Sequence, residues 1–229
     1  MIDTNEIKKI ANKFGADLCG IASIDRFENA PIGFHPKDIF PENQSIISIA
    51  CKTLESTIDL TNPIPYSTVE NIILGKVQSI AVSICLEIEN RGNIAFIMPS
   101  APYDYWDNEK MEARGLLSLK HIGYYAGIAI IGKNSLLCNQ QFGNLIRLGA
   151  ILTDLKLEPD TIPNELFCLD NCNLCITNCP VGAIDNNFHV NQKKCRLNSE
   201  GINKRGVEIT VCNNCRKVCP YRSGYKKRN

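Results

Sequence analysis

The feature that most constrains this chain is a doubled cysteine spacing near its C-terminus. CNLCITNCP (Cys172 to Pro180) and CNNCRKVCP (Cys212 to Pro220) both read C-x2-C-x3-C-P, and each is preceded by a further cysteine, Cys168 and Cys195. Eight of the 12 cysteines fall in the last 62 of 229 residues; Cys19, Cys51, Cys85 and Cys138 are scattered over the first 167. The chain therefore reads as two segments with different chemistry.

A tight C-x2-C turn presents two neighbouring thiolates, and a cysteine before proline directs the chain away from them. Two crossed half-motifs of this kind are the arrangement of two-cluster ferredoxins, in which the Cys-Pro cysteine ligates the other cluster. The spacing assigns Cys168, Cys172, Cys175 and Cys219 to one 4Fe-4S cluster, and Cys179, Cys195, Cys212 and Cys215 to a second. Cys168 departs by one residue from the common C-x2-C-x2-C-x3-C-P, so it needs a bulge to reach its iron, and 16 residues separate Cys195 from Cys212. Paired structural zinc sites are the rival reading, since C-x2-C pairs also bind tetrahedral zinc. Zinc does not require the repeated x3-C-P. The remaining four cysteines lie in apolar surroundings such as SIACK and SICLE and read as core residues.

MIDTNEIKK carries acids and no following apolar region, unlike a secretory signal. Uncharged apolar runs such as AGIAIIG (126–132) fall far short of the roughly 18 residues that span a bilayer. The expectation is a cytoplasmic protein with reduced thiols and no membrane partner. Lys and Arg number 25 against 24 Asp and Glu, which gives no global reason to seek nucleic acid. From Lys193 onward the balance is 11 basic residues to two acidic. That asymmetry suits an RNA or acidic partner, or the compensation of anionic thiolate clusters.

Thr4 can cap a helix with Ile7, Ile10, Ala11 and Phe14 on one face, stopped by Gly15. ADLCGIASI, SIISIAC and NIAFIM read as strands, and residues 69–92 as a long helix. Residues 108–127 show a helical pattern, and NLIRLGAILTDL a returning strand. The expected fold is a three-layer α/β N-terminal domain (1–160) followed by a small ferredoxin-like two-cluster iron–sulfur domain of α+β type (161–229), with LEPDTIPNE as linker. Gly127 to Asn134 nearly matches a phosphate-binding G-x-x-x-x-G-K-[ST] loop. Asn134 replaces the hydroxyl, and the intervening residues are bulky.

Read in order, FIMPSAPYD, GYYAGIAIIGKNSLL, FGNLIRLGAILTDL and the two Cys-Pro motifs resemble the epoxyqueuosine reductase family and its iron–sulfur paralogues over residues 95–220. The resemblance implies a reductase with a cobalamin between the two domains, reduced by the clusters, a logic that reductive dehalogenases share. It implies that Ser100, Gly132, Lys133, Asn134 and Ser135 line the corrinoid pocket. The electron source would be a donor protein or reduced flavin, and the acceptor a small molecule or the corrinoid. The family's acid in D-S-A-P falls on Pro99, which cannot donate a proton, so Tyr103 and Asp104 are the substitute catalytic candidates. His121, Tyr124 and Tyr125 read as packed or hydrogen-bonded residues and not axial ligands, and Trp106 as a cover over a pocket mouth or a cap on the core. The chain ends ten residues beyond Cys219, so the helical-repeat domain that holds a tRNA stem is not expected, nor tRNA docking through it. A non-catalytic electron carrier or activator is the alternative function, favoured by Pro99.

Overall fold

A computed structural model describes residues 2–99, 105–164, 168 and 171–224. Helix α1 (Thr4–Lys13) starts where the Asp3 carboxylate accepts the Glu6 N–H at 2.8 Å. The cap is thus Asp3; Thr4 instead donates its hydroxyl to the Glu158 carbonyl. Ile7, Ile10 and Ala11 are buried as the periodicity requires, and Gly15 follows with φ 93°.

Four strands, β1 (Leu18–Ser23), β2 (Ser45–Lys52), β3 (Ala95–Met98) and β4 (Ile146–Thr153), form one sheet in the order β1-β2-β4-β3. Every neighbouring pair is antiparallel. β2 and β3 therefore run parallel to each other, joined by helix α2 (Ile64–Glu89), with the returning β4 inserted between them. This is a split β-α-β unit. The mixed α/β content agrees with the sequence, while the ladder is antiparallel because β4 fills the gap that a parallel neighbour would have occupied.

Alternate residues of the strands face two different cores. On one side Ile21, Ile47, Ile49 and Ile151 pack with Val77, Ile80, Ile84 and Ile88 of α2 and with α1. On the other, Ala22, Ile46, Ala150 and Leu152 meet Phe27, Phe40 and Ile122, the last on helix α3 (Leu119–Tyr125). Each large side chain so buried stabilises by roughly 1.5–3 kcal/mol before entropy is counted. The result is three layers.

α2 begins five residues before the pattern suggested, since Pro65 occupies its first turn, where a missing N–H breaks no intrahelical bond. Among the described residues it is the one helix long and apolar enough to cross a bilayer by length and composition, which single uncharged runs had not revealed. Its inner face nevertheless packs in the sheet core.

Two other expectations change. The helical pattern over 108–127 yields a helix only at its end; Tyr105–Asp107 and Glu112–Arg114 form an antiparallel hairpin. The Asp107 carboxylate accepts the N–H groups of Glu109 and Lys110, both at 2.9 Å, and turns the chain. The segment read as a linker is strapped to the sheet domain: Leu155 and Leu157 are buried, Asp160 pairs with Lys8 and accepts the Ile21 N–H at 2.9 Å, and Arg26 donates to the Asp160 carbonyl at 2.7 Å.

β1 meets the end of α3 at Gly20, where an added Cβ would lie 2.0 Å from the Ala126 carbonyl oxygen. The Ala126 backbone fills that space, with the Ile128 side chain 3.1 Å away. Gly20→Ala is expected to destabilise the fold by about 3 kcal/mol, at the upper end of overpacking costs, read as a lowered denaturant midpoint with unchanged slope.

Candidate metal centre

The repeat in sequence is a repeat in backbone. In the first half Ile176 and Thr177 donate to the Asn173 carbonyl and Asn178 to that of Leu174; in the second Arg216 and Lys217 donate to Asn213 and Val218 to Asn214. Each half is one short helix, Leu174–Thr177 or Asn214–Lys217, followed by the Cys-Pro step. Between them lie helix α4 (Gln192–Ser199), capped by the Asn191 side chain, and a hairpin of Glu200–Ile202 with Glu208–Thr210. Among the described residues from 168 onward only Ala183, Ile184 and Arg216 are buried. So small a core cannot hold a segment of this size together, and such modules depend on staples or metal.

The two halves sort the eight thiols into two walls of four. Cys168, Cys172, Cys175 and Cys219 line one cavity, together with Cys138. Cys179, Cys195, Cys212 and Cys215 line a second, a cleft of about 750 Å³. All are free thiols, and the eight of the repeat are half-buried. Each cavity therefore takes its cysteines from both ends of the module. Ala183 N–H donates to the Cys179 sulfur at 3.2 Å. The Cys138 thiol donates to the Tyr221 carbonyl at 3.7 Å, and its contact with Cys219, together with burial, keeps it protonated. Cys138, the Tyr221 backbone, the Asn144 amide and the nearby Arg216 hold Cys219 below the ordinary thiol range. Burial pushes Cys215 up to about 12.

A hairpin of the sheet domain wedges between the cavities. Ile130–Ile131 pairs with Leu137–Cys138, and Gly132 N–H closes its turn on the Leu136 carbonyl at 2.8 Å. From this turn Lys133, 7% exposed, donates to the Cys172 carbonyl at 2.9 Å, and Asn134 donates to the Cys215 carbonyl at 3.1 Å. Asn144 reaches the Arg216 carbonyl at 3.4 Å. Gly143 lies so close to the far end of the module that an added Cβ would be 1.9 Å from the Tyr221 carbonyl oxygen. The loop read as a cofactor wall is thus a clasp on the cysteine segment. Gly132 and Lys133 border the smaller cavity, Ser135 the larger, and Asn134 both. Ser135 is bonded by Lys120.

Glu112, Arg114, Lys120, Phe188 and Gln192 complete the larger cleft, which opens between the sheet domain and the module. His121 bonds Ser118 at 2.7 Å, and Tyr125 packs edge-on against Phe27 and beside Tyr124. Trp106 carries the Arg196 guanidinium 5.1 Å from its ring centre and so ties the 105–114 hairpin to α4. Ser100, Tyr103 and Asp104 lie outside the described residues; Pro99 follows directly on β3. Sequence reading missed a buried network beneath the module: Arg147 pairs with Glu70, which also accepts from Thr53 at 3.1 Å and Tyr66 at 3.3 Å. Burial, and Arg216 nearby, bring Arg147 down to about 9. A charge inside an otherwise apolar strand and helix was its only signal.

A split β-α-β domain clasping a doubled cysteine module is the arrangement to compare with known proteins. No family model matches the chain. It is 30% identical over 126 residues to epoxyqueuosine reductase of Listeria monocytogenes, covering 51% of this chain and 33% of that protein. To the Prochlorococcus marinus enzyme it is 37% identical over 107 residues, 42% of this chain and 34% of that protein. The match thus spans about a third of the length of these relatives. Epoxyqueuosine reductase from Streptococcus thermophilus superposes with a TM-score of 0.65 at 20% identity, over 98% of this chain and 68% of its own. An epoxyqueuosine reductase crystallised with an epoxyqueuosine-modified tRNA-Tyr stem loop gives 0.64 at 19%, over 98% and 66%. A reductive dehalogenase whose structure suggests a mechanism for B12-dependent dehalogenation gives 0.59 at 17%, over 95% and 31%. The chain is a homologue of the epoxyqueuosine reductases, as its ordered motifs imply, and shares its fold with them and with the dehalogenase.

The clasp can be tested directly. Lys133→Met leaves the half-buried Cys172 carbonyl without its charged donor and is expected to weaken docking of the module by about 1–3 kcal/mol, with Asn134→Ala at the lower end. Faster hydrogen exchange over 171–184 and 212–222, with the sheet strands unchanged, is the expected reading.

Proposed function

We propose that this protein is an iron–sulfur oxidoreductase of the epoxyqueuosine reductase type. Cys168, Cys172, Cys175 and Cys219 hold one 4Fe-4S cluster, and Cys179, Cys195, Cys212 and Cys215 the other, in a ferredoxin-like arrangement. The observation that carries this is the sorting of eight thiols into two walls of four, in a module with almost no core of its own. Bound clusters supply one-electron transfer whose potential the protein tunes through charge and hydrogen bonds to sulfur. Here the Ala183 N–H serves Cys179, while Lys133 and Asn134 fix the cysteine loops. Thiols kept free in this way suit the cytoplasm.

The acceptor, a corrinoid or a substrate reached through it, belongs in the cleft between the two segments. Its volume lies within the roughly 300–1,000 Å³ of ligand sites. Arg114, Lys120, Asn134 and Ser135 offer polar contacts to an amide-fringed ring, and Phe188 an apolar one. Ser100 is proposed as a corrinoid contact from the family resemblance alone. Tyr103 and Asp104 are the proposed proton donors in place of Pro99. A tRNA stem loop enters the reading through the similarly folded reductase crystallised with one, against the expectation drawn from the sequence. The second reading, an electron carrier or activator that docks on a partner enzyme, is supported by Pro99 alone.

Anaerobic reconstitution followed by gel filtration with cobalamin decides between them. Eight irons per chain with co-eluting corrinoid support the reductase; eight irons without corrinoid leave the carrier; stoichiometric zinc and no visible absorption overturn both. Cys179→Ala and Cys212→Ala are each expected to lose about half the iron, because each removes one of four ligands from a single cluster.

A further inference from the structure

Arg216 stands in the second cysteine half-motif, one residue after Cys215 and three before Cys219, on the short helix Asn214–Lys217. It is 3% exposed, and its Nη1 atom is buried with no hydrogen-bond partner. Its backbone is fully engaged: the N–H donates to Asn213 and the carbonyl accepts from Asn144. The side chain is another matter. Among the described residues the one buried carboxylate is Glu70, and Glu70 is taken by Arg147, Thr53 and Tyr66. A guanidinium shut away from water without an anion is costly, and proteins keep one only where an opposite charge meets it.

Its place is between the two sets of cysteines: Cys215, directly before it, lines the larger cavity, and Cys219, whose N–H donates to the Arg216 carbonyl at 3.3 Å, lines the smaller. A cubane held by four thiolates is net negative, and each electron added makes it more so.

We propose that Arg216 is the buried counter-charge shared by the two cysteine-lined centres and that it raises the readiness of both to accept an electron. This rests on the two-cluster reading above. The step concerned is one electron added to each oxidised cluster, supplied in the test by dithionite, with no bond made or broken. Lys133 serves the first cavity by its position but is tied to the Cys172 carbonyl; of the two cations between Cys215 and Cys219, Lys217 turns outward to Asp59 at 3.7 Å and Arg216 is the buried one.

The experiment is an anaerobic redox titration followed by electron paramagnetic resonance, on reconstituted wild-type, Arg216→Gln and Arg216→Lys proteins, with iron and sulfide counted first. At the wild-type midpoint, R216Q is expected to show a reduced-to-oxidised ratio about tenfold lower, equivalent to a midpoint about 59 mV more negative for a one-electron couple. R216K, which keeps the charge, is expected to stay within about threefold of wild type. Loss of iron from R216Q with full iron in R216K also supports the proposal, since charge and not shape is then what the centres need. R216Q with full iron and an unchanged ratio overturns it, as does R216K impaired as deeply as R216Q. A wild-type protein that takes up no iron overturns the two-cluster reading and this inference together, whereas full iron with an unchanged R216Q overturns this inference alone.

Discussion

The two hydrogen bonds from the turn of one small hairpin, Lys133 to the Cys172 carbonyl and Asn134 to the Cys215 carbonyl, hold the arrangement together. Each bond ends on one half of the cysteine repeat, so a single rigid turn fixes both halves relative to each other. The hairpin is itself anchored: Leu137 packs with Ala50, Ile128 and Ile146 at the end of the sheet. Sheet register is thereby passed to the cysteine loops through a few short links. With three buried residues among those described, the module is placed by links of this kind and not by a core of its own.

Charge follows the same geometry. Lys133, Arg147 and Arg216 gather under the cysteine segment with Glu70 as the one buried carboxylate among the described residues. In a protein interior such an excess of cations is stable only beside anions. The basic bias from Lys193 onward therefore has one member, Arg216, that faces inward. Exposed Lys204 and Arg205 belong to the outer part, where contact with a polyanion and plain solvation are both open to them.

What could be read from the sequence was whatever chemistry or periodicity forces to be regular. The doubled C-x2-C-x3-C-P spacing divided the eight cysteines into the same two groups that line the two cavities. The short β-rich runs SIISIAC and NLIRLGAILTDL marked strands that are buried on both faces. The hairpin at 105–114 was hidden because its turn is made by one carboxylate, Asp107, inside a stretch whose composition suits a helix. Lys133 and Asn134 were recognised as important but assigned to a ligand. Their partners are main-chain carbonyls some 40 and 80 residues away in sequence, and a carbonyl leaves no trace in residue identity. Arg216 was hidden for the opposite reason: basic residues between cysteines are common on surfaces, and only burial separates it from its exposed neighbours.

The 16-residue interval between Cys195 and Cys212 read as a long closing loop, and a flexible loop of that length would leave Cys195 loosely held. The chain fills it with structure instead. Cys195 lies on α4, and the hairpin that follows turns on Asn203, whose side chain accepts the N–H groups of Arg205 and Val207 at 2.8 and 3.1 Å. Thr210 N–H then donates to the Ser67 hydroxyl of α2 at 3.0 Å, and Asn213 donates to the Ile58 carbonyl at 3.2 Å just after Cys212. The interval is thus pinned to the sheet domain at the end next to Cys212 and braced by α4 at the other. Cys195 and Cys212 reach the same cavity as ends of a built element, so the spacing that departs most from a short turn carries no extra disorder into the ligand set.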